Sequence, residues 1–157
     1  MREIKFRCWD NQNKTWYDPI YEASDGNLFE LLVSLSGDLC AHTLRGLEHE
    51  SMWPTRFTLM QYTGLKDKNG KEIYEGDIVN TLRVNRLESS GNIPEDCWGK
   101  ETDREERNNE VVKFEDFMWM CAEDQTLAMF TGEQDDDYYV EVIGNIYENP
   151  DLLKSNA

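Results

Sequence analysis

The residues most able to do chemistry are carboxylates, and the densest group is the run Asp135-Asp136-Asp137. Clustered carboxylates are the ligands that hard divalent cations take. Three consecutive residues of an extended segment point in alternating directions, however, so their side chains cannot all converge on one ion. The glycine-containing Asp-x-Asp-x-Asp-Gly loop of a calcium site is also missing. We therefore predict a solvated acidic turn here, and neither a metal site nor a cofactor.

The cysteines and histidines do not form a recognisable site either. The four cysteines stand at positions 8, 40, 97 and 121 without a Cys-x-x-Cys pair, and neither His42 nor His49 is at ligand spacing from one of them. Cys8 and Cys121 fall in apolar segments, where a free thiol behaves as a small buried hydrophobic group. Since phosphate-binding glycine loops and nucleophile signatures are also missing, we predict that the protein is not an enzyme.

The charge of the chain is strongly negative and unevenly distributed. The formal net charge is −16, of which residues 1–94 contribute −3 and residues 95–157 contribute −13. A one-sided negative field repels nucleic acids and anionic membranes and attracts basic partners. We expect a protein partner with a basic surface, without direct nucleic-acid or membrane binding. No signal peptide or membrane-spanning apolar run is visible, so a soluble, cytoplasmic protein is expected.

Two acidic segments are the candidate partner-binding surface. Residues 85–110 are rich in charges and turn-forming residues and are predicted to form an acidic loop or insertion. Trp98 within it either packs back onto the domain or anchors a partner. In its sharpest form the hypothesis is that the acidic face imitates nucleic acid and occupies the basic groove of a host defence or DNA-processing protein. The predicted partner-binding residues are Trp98, Glu101, Asp103, Glu105, Glu106, Glu133, Asp135, Asp136 and Asp137.

Short apolar segments between turn signals predict a mainly β fold with minor α, in a single domain over residues 1–157. Asn69-Gly70 predicts a tight hairpin. Residues 11–14 predict another hairpin near the N-terminus, and Glu75-Gly76-Asp77 a second turn after Asn69-Gly70. Strands are expected at residues 56–62 and 138–143.

Other segments allow more than one interpretation. Residues 27–36 form the best helix candidate, because leucines recur at i, i+3, i+4 and i+7, although the β-rich surroundings leave room for a strand. Residues 110–114 and 117–122 predict a hairpin joined at Glu115-Asp116. Residues 127–130 suggest a short strand, and residues 145–153 a short helical turn.

Three blocks resemble the YopX-like proteins of bacteriophages and prophages. They are MREIKFRCWD at residues 1–10, the central YTGLKDKNGKEIYEGDIV, and VIGNIYENPDLL near the C-terminus. The resemblance implies a small SH3-type barrel with extra strands, encoded by a phage or prophage, and hence a bacterial partner. It implies no established enzymatic activity and no catalytic residues, so no site is carried over to this chain.

Two further possibilities remain open. The alternative function is a small-ligand-binding barrel of unknown metabolic role, with a cleft lined by Trp9, Trp16, Trp53 or Trp119. Its motivation is the aromatic content, which core packing also explains. The second possibility is a homo-oligomer, because small barrels expose edge strands that pairing between subunits can cover.

Overall fold

Short antiparallel strands make up most of the protein. The computed structural model describes residues 3–22, 26–86, 101–123, 125–130 and 134–156. Its strands are β1 (Phe6–Asp10), β2 (Thr15–Trp16), β3 (Ile20–Glu22), β4 (Asn27–Val33), β5 (Leu39–Thr43), β6 (Gly46–His49), β7 (Phe57–Lys66), β8 (Glu72–Tyr74), β9 (Asp77–Arg86), β10 (Glu101–Val111), β11 (Lys113–Glu115), β12 (Met118–Ala122), β13 (Gln125–Thr126) and β14 (Tyr138–Asn145). The helical elements in these described ranges are 3-10 helices at Glu50–Met52, Leu127–Phe130 and Pro150–Asn156. The prediction of a mainly β fold is confirmed, while the SH3-type barrel stays a prediction.

The chain divides into two compact units. The N-terminal unit is Arg7–Leu59, and the C-terminal unit combines Met1–Phe6 with Met60–Ala157. Strands β1 and β7 each contain a point of division, so the chain passes from one unit to the other within a strand.

The N-terminal unit opens with the predicted hairpin. Strands β1 and β2 pair antiparallel, with Trp9 opposite Trp16 and Asp10 opposite Thr15. The buried Asp10 carboxylate accepts hydrogen bonds from the backbone N–H groups of Gln12 (2.8 Å) and Asn13 (3.1 Å). An aspartate that bonds the backbone two and three residues ahead stabilises a turn, which confirms the prediction for residues 11–14.

The helix predicted at residues 27–36 is wrong, because this segment begins with strand β4. It lies in a sheet of order β3-β4-β5-β6, in which Leu31 is opposite Ala41 and Leu32 is opposite Cys40. The leucine stripe does not form one buried face, since Leu35 is fully exposed and Leu32 is 41 % exposed. Pairing on both sides therefore outweighed the helical period, a tertiary effect that propensity does not include.

The Asn69-Gly70 hairpin is confirmed between β7 and β8 in the C-terminal unit. Gly70 has φ +80°, and the Gly70 N–H donates to the carbonyl of Asp67 at 2.9 Å while the Asp67 N–H donates to the carbonyl of Lys71 at 2.8 Å. This is the pattern of a three-residue loop with glycine in the left-handed position. The turn at Glu75-Gly76 is confirmed as well, with Gly76 at φ +76°.

The loop predicted at residues 85–110 is wrong over its whole described part, because residues 85–86 end β9. Residues 101–110 belong to β10, which pairs along β9 in a sheet of order β10-β9-β14. Residues 87–100, with Trp98, lie outside the described residues. The charged sequence misled the prediction because β10 is an outer strand of this sheet, and outer strands commonly carry charges that discourage pairing with another chain.

Two details near β12 also differ from the prediction. The hairpin between β11 and β12 turns at Asp116-Phe117, one residue later than predicted, and both residues have left-handed φ angles of 48° and 64°. Such angles are those of a primed two-residue turn, which usually contains glycine. Residues 127–130 form a 3-10 helix and not a strand.

The core of the C-terminal unit is built from strands and the middle 3-10 helix. Its buried residues are Ile73, Val79, Val112, Cys121, Leu127, Phe130, Val140 and Val142. Cys8 in the N-terminal unit is also buried, so the predicted burial of both cysteines is confirmed. Burial raises the pKa of the Cys8 thiol to about 11 and that of Cys121 to about 12. Among the described residues, no helix is long and apolar enough to cross a membrane.

Candidate functional site

Two acidic segments that are distant in sequence meet at one end of the β10-β9-β14 sheet. The last residues of β9 have β10 on one side, where Arg83 is opposite Glu105, and β14 on the other, where Arg83 is opposite Tyr138. The Val84 N–H donates to the carbonyl of Asp137 at 2.8 Å. We call this place the acidic sheet end and define it by the carboxylates of Asp103, Glu105, Glu106, Asp135, Asp136 and Asp137. Since neighbouring strands lie about 4.8 Å apart, the two acidic segments are separated by about 10 Å.

The acidic turn before β14 has a fixed shape. The Asp135 carboxylate accepts the backbone N–H of Asp137 at 2.9 Å, and the Asp135 N–H donates to the Tyr138 carbonyl at 3.0 Å. Gln134 adds two contacts, because its amide donates to the Lys66 carbonyl and accepts from the Val140 N–H. The predicted acidic turn is confirmed for its described part, and Asp136 is exposed on it.

Ion pairs within the site neutralise half of its carboxylates. Arginine nitrogens lie 2.8 Å from Glu105, 3.1 Å from Glu106 and 2.9 Å from Asp137, and their side chains are those of Arg107, Arg104 and Arg86. Pairs this exposed contribute little to stability. They do make the electrostatic potential of the acidic sheet end less negative, because four arginines, Arg83 included, accompany its six carboxylates.

The other three carboxylates are exposed and make no ion pair with any described residue, and since Asp135 already accepts the Asp137 N–H, Asp103 and Asp136 remain. One lies on β10, and the other lies in the turn that leads into β14. They are the groups at the acidic sheet end best placed to accept a hydrogen bond from a lysine or arginine of another protein.

The remaining predicted partner-binding residues are only partly placed. Glu101 begins β10 opposite Arg86, so its backbone is at the same end of the sheet. Trp98 and Glu133 lie outside the described residues. The sequence did not predict that the arginines of β9 belong to this site. Strand β9 lies between β10 and β14 through long-range pairing, which has no local signal in the sequence.

A second feature lies in the N-terminal unit, where a cleft of 730 Å³ is lined by aromatic and aliphatic side chains. Of the four tryptophans predicted to line a cleft, only Trp16 does so here. Trp9 is buried, Trp53 lines a separate hollow of 360 Å³, and Trp119 packs against the core of the C-terminal unit. Three rings that were not predicted complete the aromatic part of its wall, namely Tyr17, Phe29 and Phe57.

An ion pair lies at the edge of this cleft. The Arg56 guanidinium donates to one Asp10 carboxylate oxygen from Nε (3.2 Å) and Nη2 (2.9 Å). Burial tends to raise the pKa of Asp10, but these bonds and the N–H bonds of Gln12 and Asn13 outweigh it, so the pKa lies below its usual value. Asp10 is therefore ionised at neutral pH, and the pair is internally neutral.

One group in the N-terminal unit has the composition of a metal site. Ligand atoms of Asp38, His49 and Glu50 lie within 4.8 Å of one another. Two of the three already serve local turns, because Asp38 accepts from the Ser36 hydroxyl and His49 Nδ1 accepts the Ser51 N–H at 3.1 Å. We therefore assign no metal to them.

The comparison with known families decides the identity. Residues 5–154 match the family described as YopX protein. The chain belongs to the YopX family. No curated protein sequence matches it significantly. Among similar solved structures, protein EF1440 from Enterococcus faecalis is 24 % identical, with a TM-score of 0.47 and coverage of 98 % of this chain and 99 % of that one. Protein yopX from Bacillus subtilis is 21 % identical, with a TM-score of 0.47 and coverage of 97 % and 98 %.

Proposed function

We propose that this YopX-family protein is a phage or prophage accessory protein that acts by binding a bacterial protein with a basic surface. The observation that supports this most is the meeting of two acidic segments at the acidic sheet end. Residues 103–106 and 135–137 are about thirty positions apart in the chain, yet they flank the same end of β9. The proposal assigns no catalytic step to any residue.

The arrangement of charges favours a discrete protein contact over an extended imitation of nucleic acid. A mimic needs carboxylates that follow one another as phosphates do, without interruption by cations. Here arginines flank and pair with the carboxylates of β10, as in Arg104-Glu105-Glu106-Arg107. We therefore propose that Asp103 and Asp136 bond individual lysine or arginine side chains of the partner.

The variants that test this must leave the turn intact. Reversing Asp135 to lysine would remove the acceptor of the Asp137 N–H, and changing Asp137 would break its pair with Arg86. The better variant is Asp103→Asn and Asp136→Asn together, since both side chains are exposed and neither is in an ion pair with a described residue. A matched control, Glu123→Gln and Glu148→Gln, removes the same charge from exposed positions outside the acidic sheet end.

The experiment is affinity capture from nuclease-treated bacterial lysate at low and moderate salt, with mass-spectrometric identification of retained proteins. We expect one basic protein to be retained by the wild-type and control proteins and lost by the variant. Retention should weaken at higher salt, because exposed charge contacts are screened. Equal retention by all three proteins would refute the role of the acidic sheet end. A DNA-binding protein that nucleic acid displaces would support the mimic version instead.

A further inference from the structure

The cleft of the N-terminal unit has the size and lining of a small-molecule site. Its volume of 730 Å³ lies within the range of about 300 to 1,000 Å³ that is usual for ligand pockets. Aromatic side chains come from the segment after β1, from β4 and from β7, and Leu28 and Leu44 add aliphatic surface. All of these residues belong to one compact unit.

The aromatic wall is held in place by contacts among its own residues. Tyr17 contacts Phe29 and Phe57 at ring-centroid distances of 6.1 and 6.0 Å, both edge to face, and Phe29 lies 5.8 Å from Phe57. The Tyr17 hydroxyl donates to the Phe29 carbonyl at 3.1 Å and accepts the Leu31 N–H at 2.8 Å. A wall held in this way loses little conformational entropy when a ligand binds.

Among the described residues, five charged ones line the cleft, and two of them, Arg56 and Asp10, are paired with each other. Arg56 is bonded to Asp10 and also lies 4.7 Å from the Phe57 ring centroid. Glu48 accepts a hydrogen bond from the Thr43 hydroxyl at 3.1 Å. The two further lining charges, Asp18 and Arg45, are exposed and of opposite sign. An ionic ligand would thus give up hydration and meet lining charges of both signs, so the cleft does not favour a ligand of either charge.

We propose that this cleft binds a small molecule that carries an uncharged planar aromatic or heteroaromatic ring. The ring would extend the existing cluster through edge-to-face or offset-stacked contacts with Trp16, Tyr17 and Phe57, the geometries that aromatic pairs prefer. This site is separate from the acidic sheet end, and it stands whether or not the proposed protein partner exists.

The test uses three probes that share one ring and differ in charge. They are indole-3-ethanol, which is neutral, indole-3-acetate, which is an anion, and tryptamine, which is a cation. Binding to the full chain is followed by protein-observed NMR, because shifts of the Trp16, Tyr17 and Phe29 amides place the probe in the cleft. We expect the neutral probe to bind with a Kd of about 1 mM or tighter and each charged probe to bind about tenfold more weakly or worse.

A pair of matched variants tests the location independently. Leu44→Trp adds bulk at the cleft, while Leu47→Trp makes the same change at an exposed leucine of the same hairpin that does not line it. We expect Leu44→Trp to weaken binding of the neutral probe about tenfold and Leu47→Trp to leave its affinity unchanged. Amide spectra should show that both variants are folded. The proposal is overturned if no cleft amide shifts, if a charged probe binds as well as the neutral one, or if the two variants behave alike.

Discussion

The carboxylate of Asp67 joins the Asn69-Gly70 hairpin to strand β14. The residue is 5 % exposed. One carboxylate oxygen accepts the backbone N–H groups of Asn69 (2.8 Å) and Lys71 (2.9 Å), and the other accepts the Val142 N–H (3.1 Å). Two of these bonds shape the turn, and the third connects it to a strand 75 residues later.

The cost of Asp67→Ala follows from these three bonds. The Val142 N–H is buried and would be left without its acceptor, which costs about 2 kcal/mol. The turn N–H groups can reach water, so each lost bond costs about 0.5 to 1 kcal/mol. We therefore expect a loss of about 3 to 4 kcal/mol in the free energy of unfolding. Asp67→Asn keeps one oxygen for the turn but turns an NH₂ group towards the Val142 N–H, so we expect about 2 kcal/mol.

The assay is urea unfolding, combined with hydrogen exchange of the Val142 amide by NMR. The exchange measurement reports on the C-terminal unit alone, which matters because the chain has two compact units. Asp136→Asn is the control, because Asp136 is exposed and without an ion pair among the described residues, and it should change stability by less than about 0.5 kcal/mol. The reasoning is refuted if Asp67→Ala costs less than about 1 kcal/mol or leaves the Val142 amide equally protected.

Three further predictions rest on single sites. In Gly144→Ala the new Cβ would lie 2.7 Å from the Asn149 side-chain oxygen, so we expect a loss of about 1 to 3 kcal/mol in thermal unfolding, and an unchanged midpoint would contradict this contact. Burial raises the pKa of Cys8 to about 11 and that of Cys121 to about 12. Both thiols should therefore resist alkylation by iodoacetamide at neutral pH until urea is added, which peptide mass spectrometry can follow. Rapid labelling of the native protein would count against their burial. The pKa of Asp10 is lowered in the folded state, so its stabilising contribution is present above its usual pKa of about 3.9 and is lost as the pH falls through the folded value. Asp10→Asn should therefore be less stable than the wild type at pH 6, with the difference shrinking below about pH 4, whereas a difference that is constant with pH would disagree with this assignment.

Turns were the features that the sequence allowed us to predict best. A turn is specified by its own residues, for example by a glycine that adopts a positive φ. This holds for Asn69-Gly70, residues 11–14 and the turn at Gly76. The hairpin between β11 and β12 was predicted, but its turn was not, because Phe117 is an unusual residue for a left-handed φ. Local chemistry therefore located the β connections even where it did not specify their geometry.

The identity of whole elements depended on distant partners. The leucines of residues 27–36 fit a helix, and β3 and β5 on either side made the segment a strand. The charged residues of β10 suggested a loop, although pairing with β9 makes them an outer strand. The candidate site also depends on distant partners. The acidic segments were visible in the sequence, but their meeting across β9 was not.

The most direct test of the proposed function is zero-length cross-linking of carboxylates to lysines in the complex with the captured partner. Cross-linked peptides identified by mass spectrometry show which carboxylates of this chain touch a lysine of the other protein. We predict cross-links from Asp103 and Asp136, which are exposed at the acidic sheet end. Cross-links confined to carboxylates elsewhere, such as the exposed Glu148 and Asp151, would contradict the proposal that the acidic sheet end is the binding surface.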